Sequence, residues 1–294
     1  VYILRTLDSK GIIQKAGYGD STKKGGKKPF LWTITSGKFY IIGIEILPDK
    51  IRTAVFDFTG ELFLKVEQKP ETNMTQKKLS EIIAGLIKKM LVNCNIETNQ
   101  VAGIGMALPG IIDRKRGIIK YSSALGLENY DFYTPLSDEF DCIIKILNDA
   151  NAGALGIYWF PENSEKSCPD IVYVTYNQGA RNLGVGLLMN NTLHEGYTGT
   201  AGEIFSPLPA IENLYKKHRS GFGKSPLNNA VTRHNQQIDL KTVIKEMKKH
   251  DCPLSFKIID LLTTHIAEEM EKIIGLINPQ LIVLGGEISD YAEL

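Results

Sequence analysis

The stretch IIGIEILPDKIRTAVFDFTGEL, Ile41–Leu62, reads as two strands, Tyr40–Ile46 and Ile51–Asp57, joined by a tight turn. Such a turn can seat an anion when successive backbone N–H groups form a nest, and glycine gives those groups freedom to turn inward. Here Pro48 removes one donor, Leu47 puts bulk where a phosphate would approach, and Asp49 adds like charge. The turn is expected to be a poor phosphate seat.

Outward from the hairpin, a third strand follows near Leu62–Glu67. A helix over Gln76–Val92 comes next, with Leu79, Ile82, Ile83, Leu86, Ile87 and Met90 on one face. Strand Val101–Ala107 ends in Pro109-Gly110. Strand Ile143–Leu147 delivers NDANAGALG, whose small residues suit a helix packed closely on a sheet. Strands Asp170–Tyr176 and Gly184–Met189 begin a second half, with helices over Pro209–Lys217, Leu240–Lys248 and Leu254–Ile277. LINPQLIVLGGEIS closes it as a helix end, a buried strand and a glycine turn. Strands alternating with helices argue an α/β architecture. The repeated order predicts two similar lobes, 38–147 and 148–294, with a cleft between them and the second lobe cut short after Gly286. Residues 1–37 read differently: a helix end stopped at Gly11, then strands Ile12–Ala16 and Pro29–Thr35 around the basic loop GYGDSTKKGGKKP. That order predicts part of a winged helix-turn-helix domain, with most of its recognition helix preceding Val1.

Composition bounds the class. Of 294 residues 43% are apolar and 23% charged, which describes a soluble globular chain with a real core. The apolar runs are too short for a membrane span, and no signal-peptide pattern opens the chain. Cys94, Cys142, Cys168 and Cys252 are scattered without a CxxC pair, so a reducing cytoplasm is expected and a Cys-ligated metal is not. Net charge is +1, yet residues 1–40 carry eight basic and two acidic side chains. A basic head on a mildly acidic body fits a polyanion partner or a solvated terminus.

Five groups of residues could carry chemistry. Asn148, Asp149 and Asn151 follow an apolar strand at its C-terminal end, where open α/β sheets bind ligands. Asp149 could hold a polyol or take a proton from an attacking hydroxyl, and NDAN could equally cap a helix. GYTGTAGE places Glu203 at a loop edge behind small residues, and Glu212 lies near the start of the next helix; either could be surface acid. NQGARNLGVG keeps Gly179, Gly184 and Gly186 of a second possible phosphate loop, with Arg181 beside them. Gly285-Gly286 could contact an adenosine moiety or merely turn the chain. Lys23, Lys24, Lys27 and Lys28 around Gly25-Gly26 form a positive tip able to lie along phosphates or to act as a solvated linker.

Taken in order, these segments resemble the repressor, open reading frame and kinase (ROK) family of bacterial sugar kinases and sugar-responsive regulators. LDSKGIIQKAGYGDSTKKGGKKPFLWTI resembles the end of the regulators' DNA-binding domain, a part the kinases usually lack. GIGMALPGIIDRKRGIIKYSSALGLENY resembles the sugar-facing loop, ILNDANAGALG the signature around the catalytic aspartate, GYTGTAGEI the sugar-contacting glutamate segment, and LINPQLIVLGGEI the adenosine-side strand and turn. The resemblance implies a two-lobed actin-like ATPase/sugar-kinase (ribonuclease H-like) fold. It implies Asn148, Asp149, Glu203 and Glu212 as sugar ligands, Asp149 as base if the chain is a kinase, and the Gly25–Pro29 segment as a wing. Departures from the family pattern count more. The phosphate loop Asp-x-Gly-Gly-Thr is replaced by Glu45, Ile46, Leu47, Pro48 and Asp49. GEIFS has Phe205 and Ser206 where a zinc- and sugar-binding histidine belongs, and no CxCGxxGC zinc loop follows. The expectation is a regulator, a repressor of carbohydrate metabolism. A sugar or sugar phosphate in the interlobe cleft would alter its binding to operator DNA as a homodimer, without zinc or other cofactor. The alternatives are an ATP- and magnesium-dependent sugar kinase, glucokinase-like, and a degenerate scaffold without effector or activity.

Overall fold

A computed structural model describes residues 2–20, 28–70, 76–160, 168–176, 183–204, 209–234 and 238–291, and the statements below concern these. The chain divides into two compact units, Val1–Asn148 and Asp149–Leu294.

The first unit opens with α1 (Tyr2–Ser9) and the strands β1 (Ile13–Tyr18) and β2 (Phe30–Ile34), which pair antiparallel. Gly11 ends α1 in the left-handed region (φ 67°), letting the Gly11 and Ile12 N–H groups bond back to Asp8 and Leu7 carbonyls. There follow β3 (Tyr40–Ile46), β4 (Ile51–Asp57), β5 (Leu62–Gln68), α2 (Gln76–Cys94), β6 (Val101–Leu108), β7 (Ile111–Asp113), β8 (Ile118–Ser122), β9 (Leu127–Asp131), α3 (Tyr133–Ser137) and β10 (Ile143–Asn148). The main sheet has the order β10-β6-β3-β4-β5. The hairpins β3–β4 and β4–β5 are antiparallel, and β3, β6 and β10 run parallel. Strict alternation puts Ile42, Ile44, Ile46, Ile51 and Val55 on one face, where Ile83, Ile87 and Met90 of α2 cover them. The helix stops where Asn95 adopts positive φ and the Ile96 N–H bonds to Leu91 O. The small sheet β7-β8-β9 hangs on the end of β6; its strands are too short to stand out by periodicity.

The second unit comprises α4 (Asp149–Trp159), β11 (Ile171–Tyr176), β12 (Leu183–Met189), β13 (Thr192–Leu193), α5 (Ile211–His218), α6 (Pro226–His234), α7 (Leu240–His250), α8 (Pro253–Ile277) and β14 (Leu281–Gly286). Its sheet has the order β13-β12-β11-β14, with β11 and β14 parallel and the other pairs antiparallel. α6, absent from the sequence reading, starts at a Ser-Pro signal: Ser225 Oγ accepts from the Asn228 N–H at 3.1 Å. No described helix is long and apolar enough to cross a membrane.

Candidate functional site

Asp149 occupies the first turn of α4, where the helix's unpaired N–H groups favour a negative charge; its Oδ1 accepts from the Ala150 N–H at 3.0 Å. What fixes this turn is its approach to β12. A Cβ placed on Gly186 would lie 2.2 Å from Ala150 O, and one on Gly184 would lie 3.1 Å from Ala150 Cβ and 3.8 Å from Asp149 Oδ1. These two glycines have a packing role whatever the loop before them does. They stand inside a paired strand, opposite Thr175 and Tyr173, and let α4 settle against the sheet. Gly179 and Arg181 of the same expected loop lie outside the described residues, as do Phe205 and Ser206.

Gly184 also brings in the second acid. It forms an isolated antiparallel bridge with Glu203. The GYTGTAGE segment reaches this point through Gly196, Gly199 and Gly202, all at positive φ. Gly202 is required on steric grounds as well, because a Cβ there would sit 2.0 Å from Val185 O. Asp149 and Glu203, 54 positions apart in the chain, thus flank one glycine. Burial pushes the Glu203 carboxyl above its ordinary value. The folded state then holds a proton at Glu203 more readily than the unfolded chain does. The penalty for its charge is present above the raised pKa and disappears as pH falls through it. Glu203→Gln is accordingly expected to raise the melting temperature at pH 8 and to change it little at pH 4. Thermal melts at the two pH values check this, and equal shifts would contradict the buried-charge account.

The remaining candidates are dispersed. Asn148 ends β10 in the first unit, and its Nδ2 donates to Gly110 O at 3.1 Å. That turn is anchored in its own unit by the buried hydroxyl of Ser122, which donates to Pro109 O. Asn151 is buried in α4, as a packed residue of its first turns. Glu212 forms an exposed ion pair with Lys216 along α5 (2.7 Å). Gly285 and Gly286 end β14 in register with Thr175 and Tyr176. Gly285 makes room for the Tyr173 hydroxyl, 1.9 Å from where a Cβ would stand, so it serves packing rather than an open turn. Lys23, Lys24, Gly25, Gly26 and Lys27 lie outside the described residues, and Lys28 is exposed at the entry to β2.

The first hairpin contains a feature that sequence reasoning missed. Glu45, Arg52 and Glu67 are direct neighbours across β3, β4 and β5. Arg52 bonds to Glu45 at 3.1 Å and to Glu67 at 2.8 Å. The Glu67 hydrogen bond draws that carboxyl below its ordinary value. Register alone, with charges of opposite sign facing each other, would have been the signal. Leu47 also differs from expectation. Its side chain is wholly buried, so it does not crowd a ligand from the surface, and its N–H is spent on Lys50 O at 2.9 Å. The groups present do not fit a nucleotide phosphate with magnesium: the carboxylate is held by a guanidinium, one amide is used internally, and Pro48 has none. Among the described residues no three His, Cys, Asp or Glu side chains gather as a metal site.

The ROK family profile matches residues 41–205 and 209–294. The chain belongs to the ROK family. It is 27% identical to the xylose repressor of Caldicellulosiruptor bescii over 98% of this chain and 75% of that protein. It is 24% identical to the DNA-binding transcriptional dual regulator NagC of Escherichia coli K12 over 98% and 73%. Among solved structures, a ROK family transcriptional regulator described as a homolog of the E. coli MLC protein superposes with a TM-score of 0.76, at 15% identity, over 97% of this chain and 74% of its own. A ROK family glucokinase from Streptomyces griseus gives 0.68 at 19% identity over 85% and 84%. These likenesses show a mixed α/β fold of sugar-kinase type. This ROK member is repressor-like, since its sequence matches to repressors run over nearly the whole chain, whereas the family profile starts only at Ile41.

Proposed function

We propose that the chain is a ROK-type transcriptional regulator whose DNA binding responds to a sugar or sugar phosphate. The observation that carries this reading is the first hairpin, where Arg52 holds Glu45 and the Leu47 amide is closed on Lys50. Phosphoryl transfer consists of positioning and charge stabilisation, and each missing oxyanion donor costs about 3 kcal/mol. Several such losses leave no useful turnover, even with Asp149 in place as a potential base. Sugar binding asks for less, and the pair Asp149 and Glu203 around Gly184 offers two acceptors to neighbouring hydroxyls.

The relatives named as repressors support the DNA-binding half of the proposal, as does the β1–β2 hairpin, which suits a wing behind a helix-turn-helix. In that reading residues 1–37 belong to a winged helix-turn-helix domain, and Lys23, Lys24, Lys27 and Lys28 meet DNA phosphates around Gly25 and Gly26. The protein then acts in the cytoplasm as a homodimer on a two-fold operator, without zinc or other cofactor.

The test is a coupled assay with ATP, magnesium and a hexose panel, run beside calorimetric titration of the same sugars. Heat of binding without ATP consumption is expected. Hexose-dependent turnover at ordinary enzymatic rates, lost in Asp149→Ala, would return the chain to the kinases.

A further inference from the structure

We propose that residues Thr35–Tyr40 form a rigid joint, locked by the Asp57 carboxylate, that makes the β1–β2 hairpin and the main sheet of the first unit one body. By composition the segment TSGKF looks like a flexible connector. Its bonds argue the reverse. The Thr35 N–H donates to Ile12 O at 2.9 Å, tying the segment to the hairpin. The Ser36 hydroxyl (2.7 Å) and the Gly37 N–H (3.1 Å) both donate to Asp57 Oδ2. The Tyr40 hydroxyl donates to Gly37 O at 2.9 Å, and the Phe39 ring lies 5.7 Å from that of Phe58. Lys38 lays its side chain over Gly11, filling the place a Cβ would take there.

Asp57 is the last residue of β4 and is 2% exposed. Its other oxygen, Oδ1, accepts from the Thr59 N–H (2.8 Å), the Thr59 hydroxyl and the Glu61 N–H (3.1 Å). No cation among the described residues forms an ion pair with it. A buried carboxylate without a counter-charge persists only when donors saturate it. Burial would raise its pKa, but the hydroxyls of Thr59 and Ser36 with the Gly37 and Glu61 amides overcome this and hold the carboxyl well below the usual range. One oxygen thus grips the β4–β5 turn while the other grips the connector. Resting on the regulator reading, this joint would deliver any displacement of the sheet to the hairpin undiminished, as rigid-body switching requires.

Asp57→Asn separates the two grips. The asparagine carbonyl can satisfy the Thr59 and Glu61 donors, which leaves its NH2 facing Ser36 and the Gly37 N–H; the latter cannot accept. The Gly37 N–H loses its acceptor and faces a donor, so the connector is loosened while the turn is kept. Hydrogen exchange in the full-length protein should then show the 35–40 peptide exchanging about tenfold faster in Asp57→Asn, with β6 and β10 unchanged. Ser36→Ala removes one bond only, gives a smaller increase, and carries the test should Asp57→Asn fail to fold. Unchanged exchange at 35–40 in Ser36→Ala, or in a folded Asp57→Asn, would overturn the joint. For the coupling, wild type is used to select a duplex from a random pool, and both variants are titrated against it. Weaker binding that parallels the faster exchange supports the proposal, and wild-type affinity despite faster exchange overturns the joint's role in coupling. Selection that enriches no duplex would count against the regulator reading, while the exchange data would still decide the joint.

Discussion

Gly186→Val should lower the melting temperature of the second unit by roughly 10 °C. The residue stands in β12, and a side chain there would meet Ala150 O at 2.2 Å, Ala150 C at 2.7 Å and Ala154 Cβ at 3.0 Å. Two of those atoms are helix backbone and cannot rotate aside. The first turns of α4 must therefore lift from the sheet, breaking the contacts that hold Asp149 next to Gly184. Overpacking of this kind costs about 3 kcal/mol when backbone has to move, and a unit of this size loses about 2–4 °C per kcal/mol. Gly85→Ala is the matched control. Nothing lies within 4 Å of a Cβ there, the position is exposed on α2, and alanine should stabilise the helix by about 1 kcal/mol. Scanning calorimetry reads both. A Gly186→Val protein that melts with wild type would mean that β12 does not hold α4.

The second large effect concerns binding. Asp149→Ala should weaken the best hexose of a panel by about tenfold to a hundredfold, the equivalent of one hydrogen bond to a charged group. Stability should fall by only about 0.3–1 kcal/mol, the worth of an acidic residue in a helix's first turn. Calorimetric titration with a parallel thermal melt separates the two. Equal affinity in wild type and Asp149→Ala would remove this end of α4 from the site.

Much of the fold is legible in the chain because its signals are local. The β3–β4 hairpin, the α2 stripe and the strand into NDAN are each decided within about twenty residues. The site is legible only as residue types. That Glu203 reaches the glycine beside Asp149 depends on its bridge to Gly184, and nothing in GYTGTAGE says which strand the loop will touch. Gly184 and Gly186 are ambiguous in sequence for a related reason: a glycine needed for close approach inside a sheet is written with the same letter as one in a phosphate loop. Leu47 looks like surface bulk until the hairpin closes and turns it inward. Asp57 is the clearest omission, since DFTGE carries a strand-end aspartate followed by Thr and Gly, a recognisable side-chain-capped turn.

The ladder Glu45–Arg52–Glu67 bears on how this chain could evolve. Restoring glycines at positions 47 to 49 would still leave Glu45 gripped by a guanidinium, and removing Arg52 alone would leave facing carboxylates across β3, β4 and β5 without regaining a cradle for phosphate. Neither change alone frees both the Glu45 carboxylate and the turn amides. On the regulator reading, Arg52 thus works as a lock on the hairpin, and several replacements made together would be needed before it could seat a phosphate.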